Sequence, residues 1–437
     1  MKTVLSLATL SVGLFLAGCI DSGNQAGQST DDDPSGEPFS TAASDVVRDT
    51  GPVDSAVVSE QARSLNTFAV SLYKHLVEDG GNVFFSPYSI TTALGMTEAG
   101  ARGETRHGIR TALSVSLPGD SFHAAINGLN LSLGQHAGET EGLTLKAANS
   151  TWAQNGLDLL DSYLDLLSRY YGAGVNCLDF ASRPESSRVI INTWVAEKTE
   201  QKIEDLIPRG TITPNTQFVL TNAIYFLGDW RYSFDASLTE QDRFTRLDGS
   251  VVSAPMMRLK EPGESADLMH ARAGSVRAVD LPYRGDRLRM TVLLPDSGDF
   301  AALEQSLTAE RIAGIIGTMS STRLPEVRFP KFSFTTRSMS LKEPLRAMGM
   351  ADAFSGSADF SGIDGTGGLS ISDVLHKAFI AVNETGTEAA GATAVIMQRA
   401  SAAPPQPFVA DRPFVFLIRD SATGAILFMG RILDPTA

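Results

Sequence analysis

The sequence VNETGTEAAGATAVIMQRASAAPP, residues 382–405, decides how the rest of the chain is interpreted. It opens with polar residues around Gly386, continues through small residues from Ala389 to Ala394, and ends in prolines. Alanine favours a helix, whereas glycine and β-branched residues disfavour one. With a period of two, small side chains occupy one face of the first half, so the segment fits between two existing strands. Two interpretations follow: an alanine-rich surface helix or linker, and an exposed loop that can become a buried strand.

Composition and motifs exclude several functions. The 437 residues, 43% of them hydrophobic and 20% charged, are typical of a globular protein with a large core. A formal net charge of −14 argues against nucleic acid as a partner, because phosphate binding needs basic patches. No G-x-S-x-G elbow, phosphate loop, H-E-x-x-H or paired C-x-x-C occurs, and the six histidines are scattered. We therefore expect no cofactor, no metal and no catalytic site, although an exported hydrolase stays a rival because catalytic triads are spatial.

The N-terminus has the pattern of an exported lipoprotein. Lys2 precedes an apolar run from Val4 to Leu16, which is too short to span a bilayer and is typical of a signal peptide. The run closes with Leu-Ala-Gly-Cys at 16–19, which resembles the bacterial lipoprotein box, where cleavage before the cysteine leaves it lipid-modified. This predicts a signal peptide at 1–18 and a membrane anchor at Cys19, facing the periplasm or the extracellular space. A plain secretory signal is the alternative.

Beyond the anchor, the sequence predicts a tether and one folded domain. Residues 19–57 are rich in Ser, Gly, Asp, Thr and Pro, which predicts a disordered acidic linker. No second domain boundary interrupts residues 58–437. If Cys19 is lipidated, no intrachain disulfide is expected in the mature chain, and Cys177 is expected to be a buried small hydrophobe.

Apolar periodicity predicts several elements of this domain. Residues 160–171 have the spacing of an amphipathic helix. FVLTNAIYFLGDW, residues 218–230, predicts a buried strand with a turn at Gly228-Asp229. A further strand is predicted from Glu326 to Phe334, and a hairpin from Phe414 to Met429.

Three motifs resemble the serpins, the serine protease inhibitor superfamily. They are NVFFSPYSITTALGMTEAGARGET at 82–105, HKAFIAVNETGTEAAGATA at 376–394 and FVADRPFVFLIRDSATGAILFMGRILDP at 408–435. The resemblance covers residues 60–435. It implies an α+β fold with three β-sheets, about eight or nine helices and an exposed reactive-centre loop at about 384–407.

The resemblance also implies three groups of site residues. The hinge of the loop comprises Glu384, Gly386, Thr387, Glu388, Ala389, Ala390, Gly391, Ala392 and Thr393. A polar cluster beneath the place where the central strands part comprises Ser86, Ser89, Asn222 and His376, with Trp230 at the upper end of the same sheet. The reactive bond is placed at Ala400-Ser401, with Arg399-Ala400 as the alternative and Ala402 or Ala403 behind.

The function implied is suicide inhibition of a serine protease by a monomeric protein. The protease attacks the loop and forms an acyl-enzyme, and the freed loop then inserts into the central sheet. Ala400 suits elastase-like or subtilisin-like proteases, whereas Arg399 suits trypsin-like ones. A cysteine protease is an alternative target within the superfamily. The rival function is a non-inhibitory serpin-like lipoprotein that binds a ligand or partner.

Overall fold

The structure, a computed structural model, describes residues 38–78, 80–259, 267–387 and 406–437. Within these residues, no helix is long and apolar enough to cross a membrane. The helices are α1 (Ser55–Leu76), α2 (Pro87–Gly100), α3 (Gly103–Ala112), α4 (Ser121–Glu139), α5 (Asp161–Tyr171), α6 (Pro184–Lys198), α7 (Phe300–Ser306), α8 (Ala309–Gly317), α9 (Lys342–Leu345) and α10 (Ser361–Asp364).

Local sequence explains where these helices begin and end. The Asp54 side chain accepts a hydrogen bond from the Ala56 amide at 2.8 Å and so caps α1. Ser86 caps α2 by accepting from the Ser89 amide at 3.1 Å, and Pro87 occupies the first turn. The predicted helix at 160–171 is confirmed as α5, which ends at Gly172 in a left-handed conformation.

The strands form three sheets in the described residues. The large sheet contains β1 (Ser40–Ala42), β3 (Leu143–Gln154), β4 (Val175–Leu178), β5 (Phe218–Asp229), β13 (Phe332–Thr335), β14 (Met339–Ser340), β15 (Val374–Val382) and β16 (Gly386–Thr387). The second sheet contains β2 (Val83–Phe85), β8 (Asp267–Ala273), β9 (Val276–Pro282), β10 (Leu288–Pro295), β11 (Ser320–Arg323), β18 (Phe414–Asp420) and β19 (Ile426–Ile432). The small sheet contains β6 (Glu240–Thr245), β7 (Val251–Arg258), β12 (Val327–Pro330) and β17 (Phe408–Val409).

The large sheet is covered on both faces. Its order is β1-β4-β3-β5-β15-β13, with β14 paired to β15 and β16 paired to β5. One face packs with the second sheet and with α1, α2, α4 and α5 in the main apolar core. The other face packs under α6 in a smaller core, where Trp152 of β3 meets Ile191 and Val195. The predicted α+β class with three sheets is confirmed, and the described residues form ten helices, two of them single turns, where about eight or nine were predicted.

The predicted linker at 19–57 extends too far into the chain. Residues 40–42 form β1, which pairs antiparallel with β4 from Ser40↔Cys177 to Ala42↔Val175. The helix α1 already starts at Ser55. Composition failed here because a sheet edge can order a polar segment through backbone hydrogen bonds that need no apolar side chains. Cys177 is buried, as its apolar surroundings predicted, but its sulfur is in a disulfide bond, which the sequence analysis did not expect.

Two strand predictions also need correction. The strand expected from Glu326 to Phe334 is two strands, β12 in the small sheet and β13 in the large sheet. The chain changes sheets beside Pro330, which has no amide to donate to a ladder. The turn expected at Gly228-Asp229 is absent, because β5 continues through both residues. The predicted hairpin from Phe414 to Met429 is confirmed as β18 and β19.

Candidate functional site where the central strands part

The two central strands of the large sheet are paired along only part of their length. β15 runs parallel to β5 from Val374↔Leu220 to Phe379↔Tyr225. Beyond this point β15 stays paired with β13 up to Val382↔Phe332, while β5 stays paired with β3 up to Gly228↔Leu143. At their upper ends the two strands are therefore paired with their outer neighbours and not with each other, which leaves a wedge-shaped gap between them.

A short strand already occupies the mouth of this wedge. β16 pairs antiparallel with the end of β5, with Gly386 opposite Asp229 and Thr387 opposite Gly228. Gly386 permits this approach, because a β-carbon there would lie 2.1 Å from the Gly228 carbonyl oxygen. The chain that leaves β15 therefore returns toward the gap between β15 and β5.

The turn that reverses the chain is held by one asparagine and one tryptophan. The Asn383 side-chain oxygen accepts from the amides of Thr385 at 3.0 Å and Gly386 at 3.2 Å. The Trp230 ring nitrogen donates to the Asn383 carbonyl at 3.0 Å, and the Trp230 amide donates to the Thr385 carbonyl at 2.7 Å. The indole is buried and stacks on Tyr283 with ring centroids 4.5 Å apart. Trp230, predicted at the upper end of the sheet, thus contacts the base of the hinge directly.

Glu384 connects the same turn to the strands around it. Its carboxylate accepts from Lys331 Nζ at 2.9 Å and from Thr239 Oγ1 at 2.8 Å, and its backbone carbonyl accepts from the Phe234 amide at 2.7 Å. Burial raises the pKa of Glu384, but the hydrogen bonds from Lys331 and Thr239 outweigh it and leave the pKa below its ordinary value. The carboxylate is therefore charged at neutral pH and fixes the hinge to Lys331, which lies between β12 and β13.

Beneath the paired half of the two strands lies a buried polar cluster. His376 Nδ1 donates to Asn222 Oδ1 across the β15–β5 pair, and the Ser86 amide donates to His376 Nε2 at 3.2 Å. The Asn222 side-chain amide donates to Ser89 Oγ at 2.6 Å and to Asn149 Oδ1 at 2.8 Å. Ser89 Oγ in turn donates to Asn149 Oδ1 at 2.8 Å. The structure thus brings the four predicted residues together and adds Asn149.

Asn149 was missed because nothing in the sequence marks it. It lies on β3, remote in sequence from both Ser89 and Asn222, and it is one of several polar residues along that strand. Its register opposite Asn222 places it in the cluster. Only the pairing of β3 with β5 could have identified it.

Geometry fixes the protonation state of His376. A backbone amide can only donate, so Nε2 must be an unprotonated acceptor and the imidazole must be neutral. Burial lowers the pKa of His376 to about 3, which agrees with this assignment. The cluster therefore contains no charge at neutral pH and closes the lower half of the sheet through hydrogen bonds alone.

The far end of the loop region is also anchored. Arg277 donates to the carbonyls of Pro407 at 2.7 Å and Gln406 at 3.1 Å, and its guanidinium lies 5.2 Å from the Phe408 ring centroid. β17 then pairs in parallel with β12. The two described ends of the region are thus tied to different parts of the sheets.

Several predicted site residues lie outside the described residues: Cys19, Glu388, Ala389, Ala390, Gly391, Ala392, Thr393, Arg399, Ala400, Ser401, Ala402 and Ala403.

Comparison with known proteins assigns this architecture to a family. The model of the serpin (serine protease inhibitor) family matches residues 63–435. The chain is 36% identical over 442 residues to an uncharacterized serpin-like protein of Thermococcus kodakarensis, covering 99% of both chains. It is 38% identical over 370 residues to Serpin B3 of Homo sapiens, covering 81% of this chain and 94% of the relative.

A solved structure of the same family has a similar fold. The crystal structure of uncleaved ovalbumin superposes with a TM-score of 0.75 at 27% identity, covering 86% of this chain and 100% of ovalbumin. The chain belongs to the serpin family. Members of this family are generally protease inhibitors rather than enzymes, which sets the functional class at that level.

Acidification should weaken the fold through His376. The unfolded chain binds a proton near the ordinary histidine pKa of 6.5, whereas folded His376 binds one only near about 3. Between these values the unfolded state carries more protons, so the free energy of unfolding falls as pH falls, by up to ~1.4 kcal/mol per pH unit from this group. His376→Asn removes this contribution. The free energy of unfolding from urea titrations should therefore differ less between wild type and His376→Asn at about pH 4.5 than at about pH 7.

The matched control is His107→Asn, at an exposed histidine of α3. A difference between wild type and His376→Asn that stays constant over this pH range would contradict a neutral, buried His376.

Proposed function

We propose that this protein inhibits a serine protease by covalent trapping, followed by insertion of its loop as an additional strand between β5 and β15. The observation that supports this most strongly is β16. It lies in the mouth of the wedge, antiparallel to β5, in the orientation that an inserting strand needs. Insertion would continue a pairing that has already begun.

The register of β16 specifies what such a strand would meet. Continued along β5, this register would bring Ala389 opposite Phe226, Gly391 opposite Ile224 and Thr393 opposite Asn222. Residues directly opposite each other in an antiparallel pair share a face. Phe226, Ile224 and Asn222 are all buried, so the inserting strand needs small side chains at these positions, and the sequence supplies them.

Insertion also requires that the polar cluster be rearranged. The bond between His376 and Asn222 joins the two strands that must separate. In the inserted state, the Thr393 hydroxyl would stand opposite Asn222 and would offer it a replacement partner. The cluster would then hold the sheet closed before cleavage without leaving a buried amide unsatisfied afterwards.

The chemistry is acyl transfer. The protease serine attacks the carbonyl carbon of the residue before the scissile bond, an ester forms, and the amine of the next residue leaves. The leaving segment stays attached, because β17, β18 and β19 remain in their sheets. The strand from Glu384 to Ala400 would be ~56 Å long at ~3.3 Å per residue, which is enough to carry the bound protease across the molecule.

The free energy that strand insertion would release is large enough to drive the proposed mechanism. About a dozen newly paired residues contribute ~0.5–1.5 kcal/mol each, which gives on the order of 10 kcal/mol. Insertion must be faster than hydrolysis of the ester, because water would otherwise release an active protease. We place the scissile bond at Ala400-Ser401, which suits elastase-like or subtilisin-like targets, with Arg399-Ala400 and a trypsin-like target as the alternative.

Trapping is tested by mixing the protein separately with pancreatic elastase, subtilisin and trypsin. We expect a covalent adduct of summed mass on denaturing gels with elastase or subtilisin. Mass spectrometry of the C-terminal fragment should give Ser401 as its first residue. An adduct with trypsin alone, and a fragment that begins at Ala400, would move the bond to Arg399-Ala400. Cleavage without an adduct for every protease would reject trapping and favour a non-inhibitory binding protein.

Thr387→Arg should convert the inhibitor into a substrate. Position 387 is opposite Gly228, so it shares the face of Phe226 and Ile224 in the inserted strand. A guanidinium buried there without a partner costs several kcal/mol and slows insertion relative to ester hydrolysis. The expected result is loop cleavage with at least about a tenfold loss of adduct, measured by gel densitometry.

Glu388→Arg is the matched control, since position 388 would face the other side of the inserted strand and would come opposite the half-buried Leu227. Glu388→Arg should form most of the covalent adduct that wild type forms. Undiminished trapping by Thr387→Arg would contradict insertion in this register.

We further propose that residues 1–18 are removed as a signal peptide and that lipidated Cys19 anchors the protein to a membrane. The apolar run from Val4 to Leu16, followed by Leu-Ala-Gly-Cys, supports this proposal. In cells that process bacterial lipoproteins, wild type should sediment with membranes and incorporate labelled fatty acid, whereas Cys19→Ser should do neither. Incorporation of label by Cys19→Ser would contradict the anchor.

A further inference from the structure

The last part of the predicted linker, just before α1, is folded against the body. Residues 38–54, here called the N-terminal strap, run from the edge of the large sheet across α5 and α4 to the start of α1. The strap therefore touches both the sheet that must open and the helices beside it.

Its first part belongs to the large sheet. β1 extends the sheet beyond β4, and Thr41 Oγ1 donates to Asn176 Oδ1 at 2.8 Å. The Asn176 side chain donates onward to Ser150 Oγ of β3 at 2.9 Å. The Phe39 ring packs edge-on against Trp152 with centroids 4.9 Å apart. The first part of the strap is thus attached to β4 and β3.

Its second part belongs to the helices. Ser44 Oγ donates to the Asp165 carboxylate, and the Asp49 amide donates to the Arg169 carbonyl at 2.8 Å, both on α5. Arg48 Nε donates to Asn127 Oδ1 of α4 at 2.9 Å. The strap then enters α1, which contacts α2 and β19. This end is fixed to the body of the protein that holds the second sheet.

The close fit of the strap depends on a glycine. At Gly174, just before β4, a β-carbon would lie 2.4 Å from the Ala42 carbonyl oxygen and 3.0 Å from the Thr41 methyl group. A side chain at position 174 would therefore push the strap away from the sheet.

We propose that the N-terminal strap restrains the separation of β5 from β15 and thereby sets how fast a strand can insert. This inference rests on the proposed function. Strands β1, β4, β3 and β5 form one continuous hydrogen-bonded half of the sheet, and β15, β13 and β14 form the other. Opening the sheet moves the first half relative to the body, and the strap links the two. Its contacts must shift before the gap reaches full width.

The test uses the full-length protein and a synthetic peptide with the sequence of residues 386–397, whose incorporation is followed by native electrophoresis and mass spectrometry. Peptide incorporation reports sheet opening without any protease. Gly174→Val should speed incorporation about tenfold, since it displaces β1 and its side-chain bonds. Thr41→Val, a milder change that removes one hydrogen bond, should speed it about threefold.

Two controls separate restraint from general loss of stability. Val47→Ala alters a strap residue that is 85% exposed and should leave the rate unchanged. Ile315→Ala removes buried volume from α8, away from the strap, and should lower the melting temperature without a comparable gain in rate.

The outcomes distinguish the two proposals. Faster incorporation by the strap variants alone supports the strap. Equal rates in wild type, Gly174→Val and Thr41→Val, or an equal acceleration by Ile315→Ala, overturn the strap but leave insertion standing. No incorporation in any variant, wild type included, overturns the proposed insertion itself.

Discussion

The incomplete pairing of β5 and β15 is the constraint on which the structure depends. The two strands share a parallel ladder only between Leu220 and Tyr225 on the β5 side, and above it each is paired with another neighbour. A sheet with parted central strands has room for one more strand, and that strand must run antiparallel to both. β16 meets this requirement at its first two residues. In the proposed mechanism, an arrangement with one more strand between β5 and β15 is lower in energy.

In the proposed mechanism, a kinetic barrier keeps the loop out of the large sheet before cleavage, and several contacts contribute to it. Neutral His376 bonds to Asn222 across the strands that must separate. Glu384 fixes the hinge to Lys331, and Trp230 covers its turn. In the proposed mechanism, the bond between His376 and Asn222 must break when a strand enters, because it joins β15 to β5. In the proposed mechanism, a driving force on the order of 10 kcal/mol is held back until cleavage frees one end of the loop.

Sequence predicted those parts of the fold that local chemistry determines. The helix at 160–171 and the hairpin from Phe414 follow from apolar periodicity, and the start of α2 follows from Ser86-Pro87. The resemblance to serpins supplied the cluster residues. Sequence did not reveal Asn149, which joins the cluster through strand register, or β1, whose polar residues are ordered by the edge of a sheet. It also joined β12 to β13, because apolar periodicity does not show that Pro330 ends one ladder. These errors share one cause: long-range pairing is not encoded in local composition.

The measurement that tests the central claim most directly is thermal unfolding of the protein before and after a single cut in the loop. A non-target protease that cleaves between residues 388 and 400 leaves the chain in two associated pieces and frees the new end. Insertion of an additional strand predicts a melting temperature higher by at least about 10 °C, because the drive of on the order of 10 kcal/mol is then realised. A melting temperature that is unchanged or lower after complete cleavage would contradict the account, since the freed strand would then have no place in the sheet.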